Sequence, residues 1–262
     1  VVLAAFDRKH WRLFRHQFYR TLRESGNSET VASLAIGLYP SEQRRLAKLP
    51  GHQPWFRRTT ERHVAKRRMR EFQEILAALP PDQPVGYWDS GDVVFQDRLE
   101  PLWQIVQANR DKLLAAREPN PFSENPVVQS WVLTIADPVP RRKTFELFSS
   151  RPHLNAGFAA GKAPNLLKYF RTAAPWDNSR ELGGSTDWGD QTSLNLYCHS
   201  NPDAWMEISD QWNYCLAGRD LNSVWRTETG RFVDAGGKPI CAVHGNAKTL
   251  HLVRTRYRSA SA

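Results

Sequence analysis

Trp88-Asp89-Ser90-Gly91-Asp92 places two carboxylates three residues apart, directly after the apolar run Pro84-Val85-Gly86-Tyr87. A strand that ends in Asp-x-x-Asp can aim two hard oxygen ligands at one divalent cation. Mg²⁺ or Mn²⁺ held this way commonly also holds the phosphates of a substrate. The plainer alternative is a turn at Ser90-Gly91 that the two aspartates cap. His244 precedes Gly245-Asn246 near the end of the chain. An imidazole nitrogen beside two carboxylates suits Mn²⁺ better than Ca²⁺. The alternative for His244 is an ordinary hydrogen-bonded surface histidine.

Three further groups extend the chemistry. Asn155-Ala156-Gly157-Phe158-Ala159-Ala160-Gly161 is built of small residues that let a sugar approach the backbone. Asn155 can donate to and accept from hydroxyls; a tight strand-to-helix turn is the alternative. Asp190-Gln191 opens a predicted helix, and Asp190 serves either a sugar and its reacting carbon or the helix as an N-cap. Asp190, Asn155 and Gln191 are therefore the catalytic candidates. Lys66 and Lys248 carry charge that phosphates need, although lysines are usually just solvated. With Asp89, Ser90, Gly245 and Asn246 they form the candidate set for the bound nucleotide. The combination reads as a metal-dependent enzyme that handles a nucleotide-sugar. The chain lacks the P-loop, the Rossmann glycine triplet, the nucleophile-elbow serine and the His-Glu-x-x-His pair. P-loop ATPases, Rossmann dehydrogenases and the common hydrolases lose weight accordingly.

These residues need a scaffold. Residues 1–6 read as a buried strand, and Asp7 as the cap of a helix with Trp11, Phe14, Phe18 and Leu22 on one stripe. Residues 31–38 read as a second strand, and a short helix runs from Pro40 to Leu49. Residues 51–62 read as a loop, 63–79 as a helix and 85–88 as the strand that ends at the carboxylates. This alternation predicts an α/β fold with a mostly parallel sheet covered on both faces. Ligands in such sheets sit at the carboxyl ends of strands. Further on, 99–117 reads as a helix, 131–135 as a strand, 165–172 and 190–199 as helices, and 241–244 as a short strand. Residues 144–148 fit no single reading. Residues 173–189 read as a mobile loop over a site. Within it and beyond, Trp176, Trp188 and Trp212 could stack on sugar rings or pack in the core.

At 262 residues the chain accommodates one large α/β domain or two small ones. No apolar run is long enough for a transmembrane span, and the opening residues suit a strand better than a signal segment. Cys198, Cys215 and Cys241 match no zinc spacing, and their odd number argues against a disulfide framework. A reducing, cytoplasmic compartment is the default. The net charge of +9 sits in residues 1–80, which hold 16 Lys+Arg against 7 Asp+Glu; the remainder balances. That excess could attract nucleic acid, an anionic glycan or an anionic membrane surface, or be a set of solvated helix faces. The rivals are thus a basic nucleic-acid-binding protein and a metal-dependent nuclease or phosphatase. Against the first, the basic residues spread over several elements and match no known motif.

In combination and order, the segments resemble glycosyltransferases of the GT-A fold. The likeness is to the glycosyltransferase domain of procollagen lysyl hydroxylases and to procollagen galactosyltransferases. That family has a strand ending in Asp-Ser-x-Asp, similar to Asp89-Ser90-Gly91-Asp92. Its Leu-Asn-Ser-Gly-Gly-Phe-x-Gly is similar to the stretch from Leu154 to Gly161. Its Asp-Asp-Gln is similar to Gly189-Asp190-Gln191, and its Pro-Val-x-x-His-Gly-Asn-Gly to the stretch from Pro239 to Asn246. The motifs cover about residues 85–250. The resemblance implies a single GT-A catalytic domain over 1–257, with 1–100 the nucleotide-binding half and 101–257 the sugar- and acceptor-binding half, before a disordered tail at 258–262. It implies a UDP-sugar donor and Mn²⁺ (or Mg²⁺) held by Asp89, Asp92 and His244. Lys66 or Lys248 would lie near the diphosphate, and the hexose would be transferred with retention of configuration. The acceptor is a glycan, lipid or protein hydroxyl, and nucleic acid is not expected as a partner. Gly189 stands where the family has Asp, Ala156 where it has Ser, and Ala247-Lys248 where it has Gly-Pro.

Overall fold

The computed structural model describes residues 1–58, 64–176, 189–220, 224–227, 231–247 and 249, without the side chains of 65, 66, 225 and 226. The expected tail at 258–262 and most of the expected loop at 173–189 lie outside the described residues.

β1 (Val2–Asp7) is buried along nearly its whole length, as a central strand with both faces covered must be. α1 (Trp11–Leu13), a π-helical stretch (Phe14–Tyr19) and α2 (Arg20–Glu24) follow without a break. The stripe of Trp11, Phe14, Phe18 and Leu22 is buried, as its spacing predicts. Asp7 caps the turn before the helix: its Oδ1 accepts from the backbone N–H of Lys9 and His10.

β2 (Val31–Ile36), α3 (Pro40–Ala47), β3 (His52–Arg57), α4 (Val64–Ala77) and β4 (Pro84–Trp88) complete the first half. Residues 52–57 are therefore a strand, not part of a loop. Pro54 hid it, and Pro is tolerated because β3 is the edge of the sheet. β5 (Val93–Phe95), α5 (Glu100–Ala108) and β6 (Leu113–Ala116) come next. The single helix expected over 99–117 is thus a helix and a strand. Leu113, Leu114, Ala115 and Ala116 are good helix formers, but all four are buried, as in a strand covered on both faces. α6 (Pro126–Leu133) replaces the strand expected at 131–135. Its start is set by Asn125, whose side chain accepts from the Val128 N–H, and by Pro126 in the first turn. α7 (Pro138–Ser149) takes in 144–148. β7 (Phe158–Lys162), α8 (Ala163–Ala173), α9 (Asp190–Ser200), β8 (Trp205–Ile208), β9 (Tyr214–Cys215), β10 (Trp225–Arg226), β11 (Phe232–Val233) and β12 (Ala242–His244) follow.

The central sheet has the order β3-β2-β1-β4-β7-β6-β8. β7 runs antiparallel to β4 and β6, while the other neighbours pair in parallel. Alternate residues of β1 enter opposite layers. Val2, Ala4 and Phe6 join the core beneath the first helical run and α5. Leu3 and Ala5 join the core beneath α4, α8 and α9. A smaller sheet, β5-β12-β9, sets β12 antiparallel to β5 and parallel to β9. This second sheet brings His244, the last residue of β12, to the carboxyl end of β4. Among the described residues no helix is long and apolar enough to cross a membrane.

Candidate active site

β4 delivers Asp89 at its carboxyl end, and three bonds fix the loop that follows. The Asp89 N–H donates to the Gly157 carbonyl at 2.8 Å. Ser90 Oγ donates to the Ala5 carbonyl at 2.7 Å, tying the loop to β1. The Gly245 N–H donates to the Asp92 carbonyl at 2.8 Å. Since β12 pairs with β5, His244 lies opposite Val93, next to Asp92. The ligand atoms of Asp89, Asp92 and His244 all fall within 4.8 Å of one another. His244 Nε2 is 3.3 Å from Asp92 Oδ1 and 3.8 Å from Asp89 Oδ2.

This donor set fits a divalent cation. His244 is 1% exposed, and its Nε2 has no hydrogen-bond partner although it faces two carboxylates. A buried polar atom without a partner is costly unless something binds it. The field at this spot favours positive charge. Burial opposes charge on the imidazole, but Asp92 and then Cys215 outweigh it and hold His244 well above its ordinary pKa. Oxygen and imidazole donors suit Mn²⁺ and admit Mg²⁺. The turn-cap and surface-histidine alternatives do not describe what these side chains do.

A residue absent from the sequence reading dominates the next layer. Arg68 of α4 is buried and bridges two carboxylates, donating to Asp89 Oδ1 and to Asp190 Oδ2, both at 2.5 Å. Its guanidinium lies over the Tyr87 ring at 4.6 Å. The Tyr87 hydroxyl donates to the same Asp89 oxygen at 2.6 Å. Burial by itself would raise the Asp89 carboxyl; Arg68 first, then His244, reverse this and hold it below the usual carboxylate range. The planar fork of guanidinium donors lets this one side chain serve both acids. Arg68 was hidden among the basic residues of a helix whose charge left several readings open. It directly precedes Met69, which is buried with Phe72, Ile75 and Leu76.

Asp190 is the first residue of α9, behind Gly189, whose φ of +86° closes the turn. Its carboxylate meets Arg68, so the N-cap alternative does not hold for that oxygen. Asn155 and Gln191 share one buried acceptor. Asn155 Nδ2 and Gln191 Nε2 both donate to Glu118 Oε1, at 2.6 and 3.1 Å. Gln191 Oε1 accepts from the Ala156 N–H at 2.7 Å. Asn155 Oδ1 accepts from the Gly157 N–H and from Asn213 Nδ2, both at 2.8 Å. Gln191 Nε2 also lies 3.3 Å from His153 Nε2. Burial pushes the His153 pKa down to about 3, so the ring is neutral and can accept. Glu118, Asn213 and His153 were not legible: single polar residues carry no pattern until the fold gathers them.

A cavity of about 800 Å³ opens over these groups. Asp89, Ser90, Asp92, His244, Asn246, Asn155, Gln191, Asp190 and Arg68 line it on the polar side. Phe6, His10 and Leu13 also line it, with the His10 ring held by Asp7 at 2.7 Å, and so do the apolar Val127, Val128 and Trp131. Asn246 Oδ1 also accepts from the Ala217 N–H at 3.1 Å. Lys248 lies outside the described residues, and so does the side chain of Lys66, which sits on α4. Trp212 is a core residue and Trp176 packs against the core, while Trp188 lies outside the described residues.

No protein-family profile matches the chain, and no curated protein matches it. Among solved structures the chain is similar to the galactosyltransferase LgtC in complex with donor and acceptor sugar analogues. That likeness covers 99% of this chain and 95% of that one, with a TM-score of 0.61 and 15% identity. A structure of an LgtC active-site mutant, in which a glutamine is replaced by glutamate, is similar at a TM-score of 0.59. It covers 98% and 95% of the two chains at 13% identity. The chain therefore has the GT-A fold. These comparisons support that part of the expected resemblance and not its procollagen part.

Proposed function

We propose that this chain is a metal-dependent glycosyltransferase that moves a hexose from a UDP-sugar to an acceptor hydroxyl with retention of configuration. One observation carries the reading. Asp89, Asp92 and the Nε2 of His244 converge in a cavity that Arg68, Asp190, Asn155 and Gln191 also line. The similarity to an enzyme solved with donor and acceptor sugar analogues supports the substrate class.

In this reading Asp89, Asp92 and His244 hold Mn²⁺ or Mg²⁺. The ion would supply positive charge to the donor's phosphates and stabilise the departing UDP. The rest falls to the chain. Phe6, His10 and Leu13 supply an aromatic and apolar end suited to a nucleoside base. Arg68 fixes Asp190 and Asp89 in one geometry, so that Asp190 faces the sugar without turning away. Asn155 and Gln191, held by Glu118, position sugar hydroxyls. An active-site glutamine is also the residue replaced in the LgtC mutant structure. The acceptor hydroxyl attacks the face that UDP leaves and gives its proton to a UDP phosphate oxygen.

The rival phosphodiester chemistry would break a different bond. Incubation with UDP-hexoses and Mn²⁺ is expected to release UDP and free sugar slowly when no acceptor is present. UMP with sugar phosphate as products would move the reading to a nuclease or phosphatase. No turnover of any UDP-hexose, together with salt-dependent binding of DNA or RNA, would favour the nucleic-acid reading.

A further inference from the structure

We infer that Cys215, backed by Asn213, is a positioning residue that fixes the His244 ring for the metal and joins it to the amides on the sugar side. The inference rests on the metal site proposed above. Its geometry follows from the small sheet. β9 and β12 run in parallel with Cys215 opposite His244, and the Leu216 N–H donates to the His244 carbonyl at 2.9 Å. This register brings Cys215 Sγ to 3.6 Å from His244 Nδ1. Asn213, at the entry to β9, has two amide protons. One goes to Asn155 Oδ1 at 2.8 Å and the other to Cys215 Sγ at 3.6 Å.

The lone pairs on the sulfur admit the direction that a metal on Nε2 requires. An amide N–H can only donate, so the sulfur accepts from Asn213. With the Nδ1 proton of His244 directed at the same sulfur, the lone pair lies on Nε2, the nitrogen that faces Asp89 and Asp92. A ligating histidine needs such a partner on its other nitrogen to hold its tautomer and orientation. Here the partner is a thiol with no exposed surface, beside an asparagine with none. The chain of bonds then continues through Asn155 to Glu118 and Gln191. The metal end and the sugar end of the site thus share Asn213. Without Cys215, the Nδ1 proton of His244 would be buried and unpaired, and the ring free to tilt.

The test is Mn²⁺ affinity of the full chain, read from the free-Mn²⁺ electron paramagnetic resonance signal in the absence of any donor sugar. Wild type, His244→Ala, Cys215→Ala, Cys215→Ser and Cys198→Ala are compared. Cys198 is another fully buried cysteine, on α9, and controls for loss of a core thiol. Cys215→Ala is expected to bind Mn²⁺ about tenfold more weakly, the lower end of what outer partners of metal ligands contribute. Cys215→Ser keeps an acceptor and is expected to recover most of the affinity, and Cys198→Ala to match wild type. Should Cys215→Ala not fold, Cys215→Val removes the acceptor at similar volume and carries the same expectation. Mn²⁺ binding lost in His244→Ala but unchanged in the Cys215 variants would overturn this inference alone. A wild type that binds no Mn²⁺ would overturn the metal reading and this inference with it.

Discussion

Asp89→Ala is expected to lower sugar transfer by roughly a thousandfold or more while the chain remains folded. A metal that stabilises a leaving diphosphate contributes several kcal/mol to the barrier, and about 4 kcal/mol corresponds to roughly 10³ in rate. Asp89 contributes more than a ligand. Arg68 and Tyr87 both donate to its Oδ1, so the alanine variant leaves Arg68 with Asp190 and removes the acceptor of the Tyr87 hydroxyl. Some stability is expected to go with it. Asp89→Asn separates the two effects, because it keeps a carbonyl oxygen for Tyr87 while weakening the metal and the arginine together. The measurement is turnover of a UDP-hexose beside a denaturation curve for each variant. A folded Asp89→Ala with wild-type turnover would remove the metal from the account.

Gly157→Ala is expected to abolish Mn²⁺ binding, and Gly86→Ala to leave it intact, although each adds a Cβ where none fits. A Cβ on Gly157 would lie 2.3 Å from His244 Cε1, 2.7 Å from Asn155 Oδ1 and 2.9 Å from Asp89 Oδ2. None of these can yield freely. His244 is held in the small sheet, Asn155 by its bonds to Glu118 and Asn213, and Asp89 by the Gly157 carbonyl itself. A Cβ on Gly86 would instead meet Trp88 at 2.4 and 2.6 Å, which is a clash in the core and not among the ligands. Overpacking of this kind costs about 1–3 kcal/mol. Both variants should therefore melt earlier, but only Gly157→Ala should lose the ion. Equal Mn²⁺ affinity in the two would show that the ligands do not need this close approach.

The contrast between these glycines shows what a sequence reveals and what it hides. Asp89 and His244 were legible because each stands at the end of a short apolar run, where ligands gather, and Asp92 because it lies three residues after Asp89. Asp190-Gln191 was legible as the start of α9. Which neighbour each would meet was not. Arg68 sits 21 residues before Asp89 and 122 before Asp190, and only the pairing of β1 with β4 and the packing of α4 bring the three together. The elements that were misread failed for identifiable reasons. β3 carries a proline at the sheet edge, and β6 is made of residues that favour helices. α6 is rich in Val, Trp and Leu and looks like a strand until Asn125-Pro126 is recognised as a helix start. In β6 and α6, tertiary burial or a cap overrode local propensity.

The proposed site holds a UDP-sugar donor through a metal on Asp89. This is tested most directly by thermal stability of wild type and Asp89→Ala with UDP, GDP and ADP, each with and without Mn²⁺. A ligand that binds only the folded state at about 100 times its Kd adds ~2.7 kcal/mol, which raises the melting temperature by several degrees. That rise is expected for wild type with UDP and Mn²⁺ together, not with the other nucleotides, and not in Asp89→Ala. A wild type indifferent to every nucleotide, or one stabilised equally by UDP with and without Mn²⁺ in both proteins, would contradict it.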